Sequence, residues 1–167
     1  GNIYYNDPNK IWNSTRAKIY RLSIINKTYA FCNLNNCPLE LNKFDENTPR
    51  EKFLSESEFP NEICLAFDKT CNLKCKSCRN SSVNENNNVE KQKMYDNIIK
   101  KFFKNKWLVN AEKLIMSSQG EVFFSNAYKK ILFSNELKNR KSITIHTNGI
   151  LLNQENIDKL CEKYEDI

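Results

Sequence analysis

Residues 62–80 of the chain read EICLAFDKTCNLKCKSCRN, a short apolar run that passes into a polar loop with three cysteines. In the apolar run, Ile63 and Leu65 alternate with Cys64 and Ala66, so an extended chain would be apolar on both faces. Such a run is typical of a strand that is covered on both sides of a parallel sheet. The stretch therefore predicts a buried strand that delivers a cysteine loop at its carboxyl end.

The order of strand followed by helix occurs three times in the chain after residue 61. Two more strands are predicted over 113–117 and 142–146, from short runs rich in apolar and β-branched residues. Helices are predicted over 89–103, 126–133 and 154–164, from apolar periodicity or a capping side chain before the first turn. Alternating strands and helices of these lengths form right-handed βαβ units, so the sequence predicts an α/β fold with a parallel sheet.

The chain before the first predicted strand has a different character. Residues 1–40 form a small unit that is mostly irregular or helical, with a helix that begins after Asn13 or Ser14. Residues 41–60 carry mixed charge and prolines without periodicity, and we interpret them as a linker. The α/β domain then covers 61–167.

Composition narrows the possible partners and the compartment. The net charge is +6, but no run of Lys and Arg is long enough for a nucleic-acid-binding arm, so no nucleic-acid partner is expected. No signal peptide or membrane-length apolar run is visible, so no membrane partner is expected either. Seven cysteines are an odd number for a closed disulfide framework, and three of them have metal-ligand spacing. These features predict a cytoplasmic protein.

Each of the three predicted strands is followed by residues that suit a binding site. The first is followed by Cys71, Cys75 and Cys78, the second by SQGE at 118–121, and the third by TNG at 147–149. In parallel α/β folds, ligand sites collect where the strands end and the loops begin. Three thiolates on a cubane cluster would leave one iron without a protein ligand, and an open position is where a cosubstrate binds.

The loop with Cys71, Cys75 and Cys78 after a strand resembles the signature of the radical S-adenosylmethionine superfamily. The residues at 118–121 look like the glycine-rich motif that follows the second strand of these enzymes, and the turn at 147–149 also recurs in them. The resemblance covers about 62–167 and implies that this part of the chain is roughly the first half of the family's barrel.

The resemblance implies specific cofactors. Cys71, Cys75 and Cys78 would ligate three irons of a 4Fe–4S cluster, and the amine and carboxylate of S-adenosylmethionine would chelate the fourth. An electron from a flavodoxin- or ferredoxin-type donor would cleave the sulfonium and give a 5′-deoxyadenosyl radical that abstracts hydrogen from the substrate. The residues that the resemblance places around the cosubstrate are Ser118, Gly120, Glu121, Thr147 and Asn148.

The N-terminal unit resembles the tail of a SPASM-type auxiliary-cluster module. The similarity rests on the segment around Trp12, on Arg21, and on Cys32 and Cys37 with the following Pro38. It implies that Cys32 and Cys37 bind an auxiliary iron–sulfur cluster, that the substrate is a peptide or protein, and that the chain is an internal piece of a longer protein. The same two cysteines could equally form half of a zinc site or be two free thiols.

Two other classes of protein fit the cysteine loop. One is a non-catalytic module in which the thiols hold structural zinc, and the other is a scaffold or electron-transfer protein with a cluster but no cosubstrate chemistry. Elsewhere, Cys64 and Cys161 are predicted to be small buried hydrophobic residues, His146 a structural histidine, and Trp12 and Trp107 packing anchors. The third strand is expected to be an unpaired edge, which favours aggregation and poor substrate binding of the isolated chain.

Overall fold

A computed structural model describes residues 2–33, 59–117, 119–137 and 142–164 of the chain. The predicted linker over 41–60 lies almost wholly outside the described residues, and so do two candidate site residues, Cys37 and Ser118. In the described part of the chain, no helix is long and apolar enough to cross a membrane.

The centre of the fold is a three-stranded parallel sheet with the order β1-β2-β3. The strands are β1 (Glu62–Leu65), β2 (Lys113–Met116) and β3 (Ile143–Ile145). All three lie where the sequence predicts them; β2 ends one residue earlier than expected, and β3 is one residue shorter at each end. The prediction of an α/β fold with a parallel sheet is confirmed, and the sheet is small and open.

Helices connect and flank the strands. Their bounds are α1 (Pro8–Trp12), α2 (Thr15–Ile25), α3 (Val89–Lys104), α4 (Trp107–Asn110), α5 (Asn126–Leu132) and α6 (Gln154–Lys163), with a 3₁₀ turn at Asn135–Leu137. The predicted caps are confirmed, because Ser14, Ser125 and Asn153 each accept a hydrogen bond from a backbone N–H in the first turn.

Two of the short helices were not predicted. The segment Asp7-Pro8-Asn9 reads as a turn in the sequence, but it starts α1: Pro8 occupies the first turn and Asp7 accepts from Asn9 N. Both features suit a helix start as well as a turn, because Pro lacks the N–H that a first turn leaves unpaired. The other helix, α4, is a single turn that begins after Lys106, which has a left-handed backbone.

The hydrophobic core covers one face of the sheet. Alternate residues of β1 and β2 are buried there, among them Leu65, Leu114 and Met116, and α3 to α6, the 3₁₀ turn and the adjoining loops contribute the rest. The prediction that β1 is covered on both faces is wrong for the described chain, since its residues alternate between exposed and buried. Cys64 therefore lies exposed on the open face.

The prediction of a buried Cys161 is also wrong. α6 turns Leu160 into the core, and the next residue, Cys161, is exposed. Consecutive residues of a helix point in different directions, and α6 buries only the narrow stripe on which Leu160 lies.

The N-terminal segment packs against the outside of α3 and α4. Trp12 and Trp107 meet edge to face with ring centroids 6.1 Å apart, and Trp107 Nε1 donates to Asn9 Oδ1 at 2.6 Å. Trp107 is buried and Trp12 packs against the core, so their predicted role as packing anchors is confirmed. Lys101 Nζ donates to the carbonyl oxygen of Ile3 at 3.0 Å and thereby ties the first turn of the chain to α3.

Candidate functional site

A cleft of about 310 Å³ lies where the three strands end. The loops after β1, β2 and β3 all contribute to its lining. Of the residues selected from the sequence, the structure brings together Cys71, Cys75, Cys78, Gly120, Glu121, Thr147 and Asn148. Cys32 is exposed on the loop after α2 and does not line this cleft. Cys37 and Ser118 are not among the described residues.

Backbone hydrogen bonds shape the cysteine loop. Cys71 forms an isolated antiparallel bridge with Val83, and its N–H donates to the Val83 carbonyl at 2.9 Å. Farther along, the N–H groups of Cys78 and Arg79 both donate to the Cys75 carbonyl at 3.0 Å, which closes a turn. Cys71 is partly buried, whereas Cys75 and Cys78 are exposed. The thiols are thus presented from a defined loop, two of them open to solvent.

N–H groups surround two of the three sulfur atoms. The backbone N–H of Leu73 donates to Cys71 Sγ at 3.4 Å, and Asn148 Nδ2 lies 3.9 Å from the same sulfur. Arg79 Nη2 donates to Cys78 Sγ at 3.6 Å. Donors aimed at sulfur stabilise a thiolate, which is the form that binds metal.

A buried polar network anchors the start of this loop. Asp68 is fully buried, and its carboxylate accepts from Thr70 N at 2.8 Å and from Ser125 Oγ at 2.5 Å. The hydroxyl of Tyr128 accepts from Asp68 N and donates to Asp68 O, and burial raises the pKa of that hydroxyl well above its ordinary value. Because Ser125 also caps α5, the cysteine loop is tied directly to the start of that helix.

Gly120 lets the loop after β2 lie against the loop after β1. Its φ is +88°, and a Cβ at this position would lie 2.6 Å from Asp68 O and 2.9 Å from Thr70 O. Next to it, Glu121 N donates to Thr70 O at 2.8 Å. The glycine is therefore required both for its positive φ and for the close approach of two backbones.

The side chain of Glu121 joins the loops after β2 and β3. It is 1% exposed, and its carboxylate accepts from Thr147 Oγ1 and from Asn148 N, both at 2.7 Å, and from Phe123 N at 3.2 Å. From the sequence, a ligand-binding role is favoured for this carboxylate over a role at a helix start, where it would interact with the helix dipole. In the structure this carboxylate is committed to the protein, so it orients the Thr147–Asn148 turn beside the cleft.

Asn148 completes the connection between the first and third loops. Its Nδ2 donates to Asn72 Oδ1 at 2.9 Å, and its Oδ1 accepts from Ile150 N at 3.1 Å. Gly149 follows with φ of +79°, which the turn requires. The three strand ends thus form one hydrogen-bonded rim around the cleft.

Three residues with ionisable side chains lie at or beneath the cleft but are not among the site residues selected from the sequence. His146, interpreted as a structural histidine, is exposed and lines the cleft. Arg79 also lines it, although it reads as one of several loop cations. Of the three, only Asp68 could have been recognised from the sequence, because an acidic residue directly after an apolar strand is unusual unless its charge has a partner.

The three thiols of the loop do not meet at one point in the described structure. Among residues 2–33, 59–117, 119–137 and 142–164, no three His, Cys, Asp or Glu side chains converge closely enough to hold one metal ion. A cubane cluster accepts each thiolate on a different iron, so its ligands stand apart around a cleft instead of meeting at a point. Three separated, partly exposed thiols on one loop are compatible with that requirement.

A second cleft, of about 670 Å³, lies between α5 and α6. It is the larger of the two, but its lining contains no cysteine and none of the residues predicted from strand ends. Its polar side chains partly satisfy one another, as in the ion pair of Lys159 with Glu155 at 2.6 Å. We therefore place the candidate functional site at the cysteine cleft.

Comparison of the chain with protein-family models, with curated proteins and with solved structures found no match.

Proposed function

We propose that the chain is part of a radical S-adenosylmethionine enzyme. The observation that carries the proposal is the convergence of Cys71, Cys75 and Cys78 with Gly120 and the Thr147–Asn148 turn on one cleft, at the carboxyl ends of three parallel strands. These groups come from segments that are distant in sequence, and each was selected from the sequence for the same cofactor pair.

In this proposal the three thiolates hold a 4Fe–4S cluster. When bound, the cluster supplies the electron that cleaves S-adenosylmethionine and thereby starts hydrogen abstraction from a substrate. The backbone around Gly120 and the polar side chains of Thr147 and Asn148 bind and orient the cosubstrate. Glu121 fixes the turn that carries these side chains, and the Asp68 network fixes the cysteine loop.

The finer expectations belong to the same proposal. The sheet would be the first half of a larger barrel, and the protein would act in the cytoplasm with a flavodoxin- or ferredoxin-type electron donor. The substrate would be a peptide or protein, with Cys32 and Cys37 in an auxiliary cluster.

Anaerobic reconstitution with iron and sulfide tests the cluster. We expect roughly four irons and four sulfides in the cysteine cleft per chain, and Cys75→Ala should lose most of them. Cys161→Ala removes an exposed thiol outside the cleft and should leave iron binding unchanged. The dithionite-reduced protein should then release 5′-deoxyadenosine from S-adenosylmethionine, measured by chromatography. A fully loaded protein that releases none would favour a scaffold or electron-transfer role.

A structural zinc site is the second candidate, although the described thiols and His146 would have to move closer together to hold one ion. This exposed imidazole lines the same cleft as the three thiols, and Cys₃His is a common ligand set for zinc. Stoichiometric zinc without iron or sulfide after reconstitution, lost in both Cys75→Ala and His146→Ala, would support this function and overturn the radical enzyme.

A further inference from the structure

Arg79 differs from the other cations of the cysteine loop. Lys74 and Lys76 are exposed, whereas the guanidinium of Arg79 folds back over the loop. Its Nη1 donates to the Lys69 carbonyl oxygen at 2.7 Å, and its Nη2 donates to Cys78 Sγ at 3.6 Å. One planar side chain thus bridges the start of the loop and its last thiol.

The backbone that holds Arg79 is itself fixed. Lys69 lies between Asp68 and Thr70, whose carbonyls abut Gly120 and whose polar atoms belong to the buried network. The guanidinium is therefore attached to a rigid part of the fold, and its second edge is held toward the sulfur. Arg suits this role because its planar fork keeps five donors in fixed directions and its charge is permanent.

Among the described residues, Arg79 forms no ion pair. Glu121 also lines the cleft, but its carboxylate is bound by Thr147 and Asn148 and not by the guanidinium. A reduced iron–sulfur cluster carries one more negative charge than the oxidised cluster. A fixed positive charge and an N–H donor at a ligating sulfur both stabilise the reduced form, and both are established ways in which proteins adjust cluster potentials.

We infer that Arg79 is a positioning residue that sets the reduction potential of the metal centre through its contact with Cys78. The inference rests on the proposed function, because it requires a cluster on Cys71, Cys75 and Cys78. The reaction concerned is the transfer of one electron from an external reductant to the oxidised cluster. By stabilising the product of that transfer, Arg79 makes the cluster easier to reduce.

The test is a redox titration of the reconstituted full chain with dithionite, followed by absorbance and by the spin-resonance signal of the reduced cluster. S-adenosylmethionine is left out, so that contacts between Arg79 and a cosubstrate do not contribute. We expect Arg79→Met to lower the equilibrium constant for reduction about tenfold, which corresponds to about 59 mV for a one-electron couple. Arg79→Lys keeps the charge but cannot reach both partners, so we expect a smaller shift of about threefold.

Lys76→Met is the matched control. It removes one positive charge from the same loop, but from an exposed ammonium whose field is screened by water and salt. We expect it to change the equilibrium constant by less than about twofold, since exposed charges interact weakly. An equal shift in Lys76→Met would show that only net charge matters and would overturn the inference.

The outcomes separate this inference from the proposed function. If the natural sequence binds no iron and sulfide, both are overturned together. If the cluster assembles and Arg79→Met has an unchanged potential, the role of Arg79 alone is overturned. If Arg79→Met does not bind a cluster, the reduction potential of Arg79→Lys is the deciding measurement. An unchanged potential in Arg79→Lys would exclude a role for the contact of Arg79 with both Lys69 O and Cys78 Sγ.

Discussion

Gly120 and Gly149 provide a matched pair at the scale of single residues. Both have a positive φ, +88° and +79°, which costs an L-residue roughly 1–2 kcal/mol. They differ in their surroundings: a Cβ on Gly120 would strike the carbonyls of Asp68 and Thr70, whereas one on Gly149 would have no neighbour within 4 Å. Only the first glycine holds two loops together.

We predict that Gly120→Ala destabilises the fold more than Gly149→Ala does. The second substitution should cost about 1–2 kcal/mol from backbone strain alone. The first should cost about 1–3 kcal/mol more, because the loop after β1 must move to admit the methyl group. Urea unfolding followed by circular dichroism measures the difference. Equal costs in the two variants would contradict the packing role of Gly120.

Residue-level prediction worked best where chemistry and spacing coincide. Cys71, Cys75 and Cys78 could be selected because their spacing and their place after a strand point to the same cleft. Arg79 could not be selected in this way, because nothing in the adjacent sequence indicates that its side chain turns back toward the Lys69 carbonyl. That contact depends on how the loop closes, which is decided by Gly120 and Asp68 from other parts of the fold.

At the scale of elements, the start of α5 combines two functions in one side chain. Ser125 caps the helix by accepting from Tyr128 N at 3.0 Å, and it donates to the buried carboxylate of Asp68. Asn153 at the start of α6 also caps its helix, through Asn156 N at 3.0 Å, but it lies exposed and binds no buried charge. Comparing substitutions at these two capping residues therefore distinguishes the effect of helix capping from the effect of anchoring the cysteine loop.

We predict that Ser125→Ala costs more stability than Asn153→Ala. Loss of a cap should cost about 1 kcal/mol in each variant. Ser125→Ala also leaves an oxygen of the Asp68 carboxylate without its donor, which adds about 1–3 kcal/mol. Chemical unfolding of both variants provides the comparison, and iron binding of Ser125→Ala should weaken because the cysteine loop loses an anchor. Equal destabilisation with normal iron binding would exclude the anchoring role.

The helices and strands were largely predictable from the sequence, whereas the burial of each strand face was not. Periodicity and capping residues locate α3, α5 and α6, because these signals lie within the elements. The exposure of Cys64 is a different matter, since it depends on what packs over the open face of the sheet. An apolar strand looks the same in sequence whether one face is covered or both. The sequence therefore predicts a second buried face for β1 that the described residues do not cover.

For the molecule as a whole, two buried tyrosines make stability depend on pH. Burial, the first cause in each case, raises the pKa of Tyr95 and of Tyr128 well above the ordinary value of 10. The hydroxyl of Tyr95 also donates to Glu85, which favours the neutral phenol further. The folded protein therefore keeps protons on these groups at pH values where the unfolded chain has released them.

We predict that the free energy of unfolding is unaffected by these tyrosines below about pH 10 and falls above it. The unfolded chain then binds fewer protons than the folded one, so each tyrosine lowers stability by about 1.4 kcal/mol per pH unit. Unfolding in urea between about pH 8 and about pH 11 measures this slope, because this range spans the ordinary tyrosine pKa of about 10. Tyr95→Phe should make the slope shallower, whereas Tyr5→Phe, a change at an exposed ring, should not. An identical slope in all three proteins would refute the prediction.

The parallel topology has a consequence for the order in which the protein assembles. Register partners such as Glu62 and Lys113 are far apart in sequence, with α3 and α4 between them, so no strand pair can form as a local hairpin. Closing such crossovers costs chain entropy before any pairing compensates for it, which slows folding. During synthesis the cysteine loop emerges well before β2 and β3. The cleft that its thiols line is thus complete only after both crossovers have closed, and it is among the last features to form.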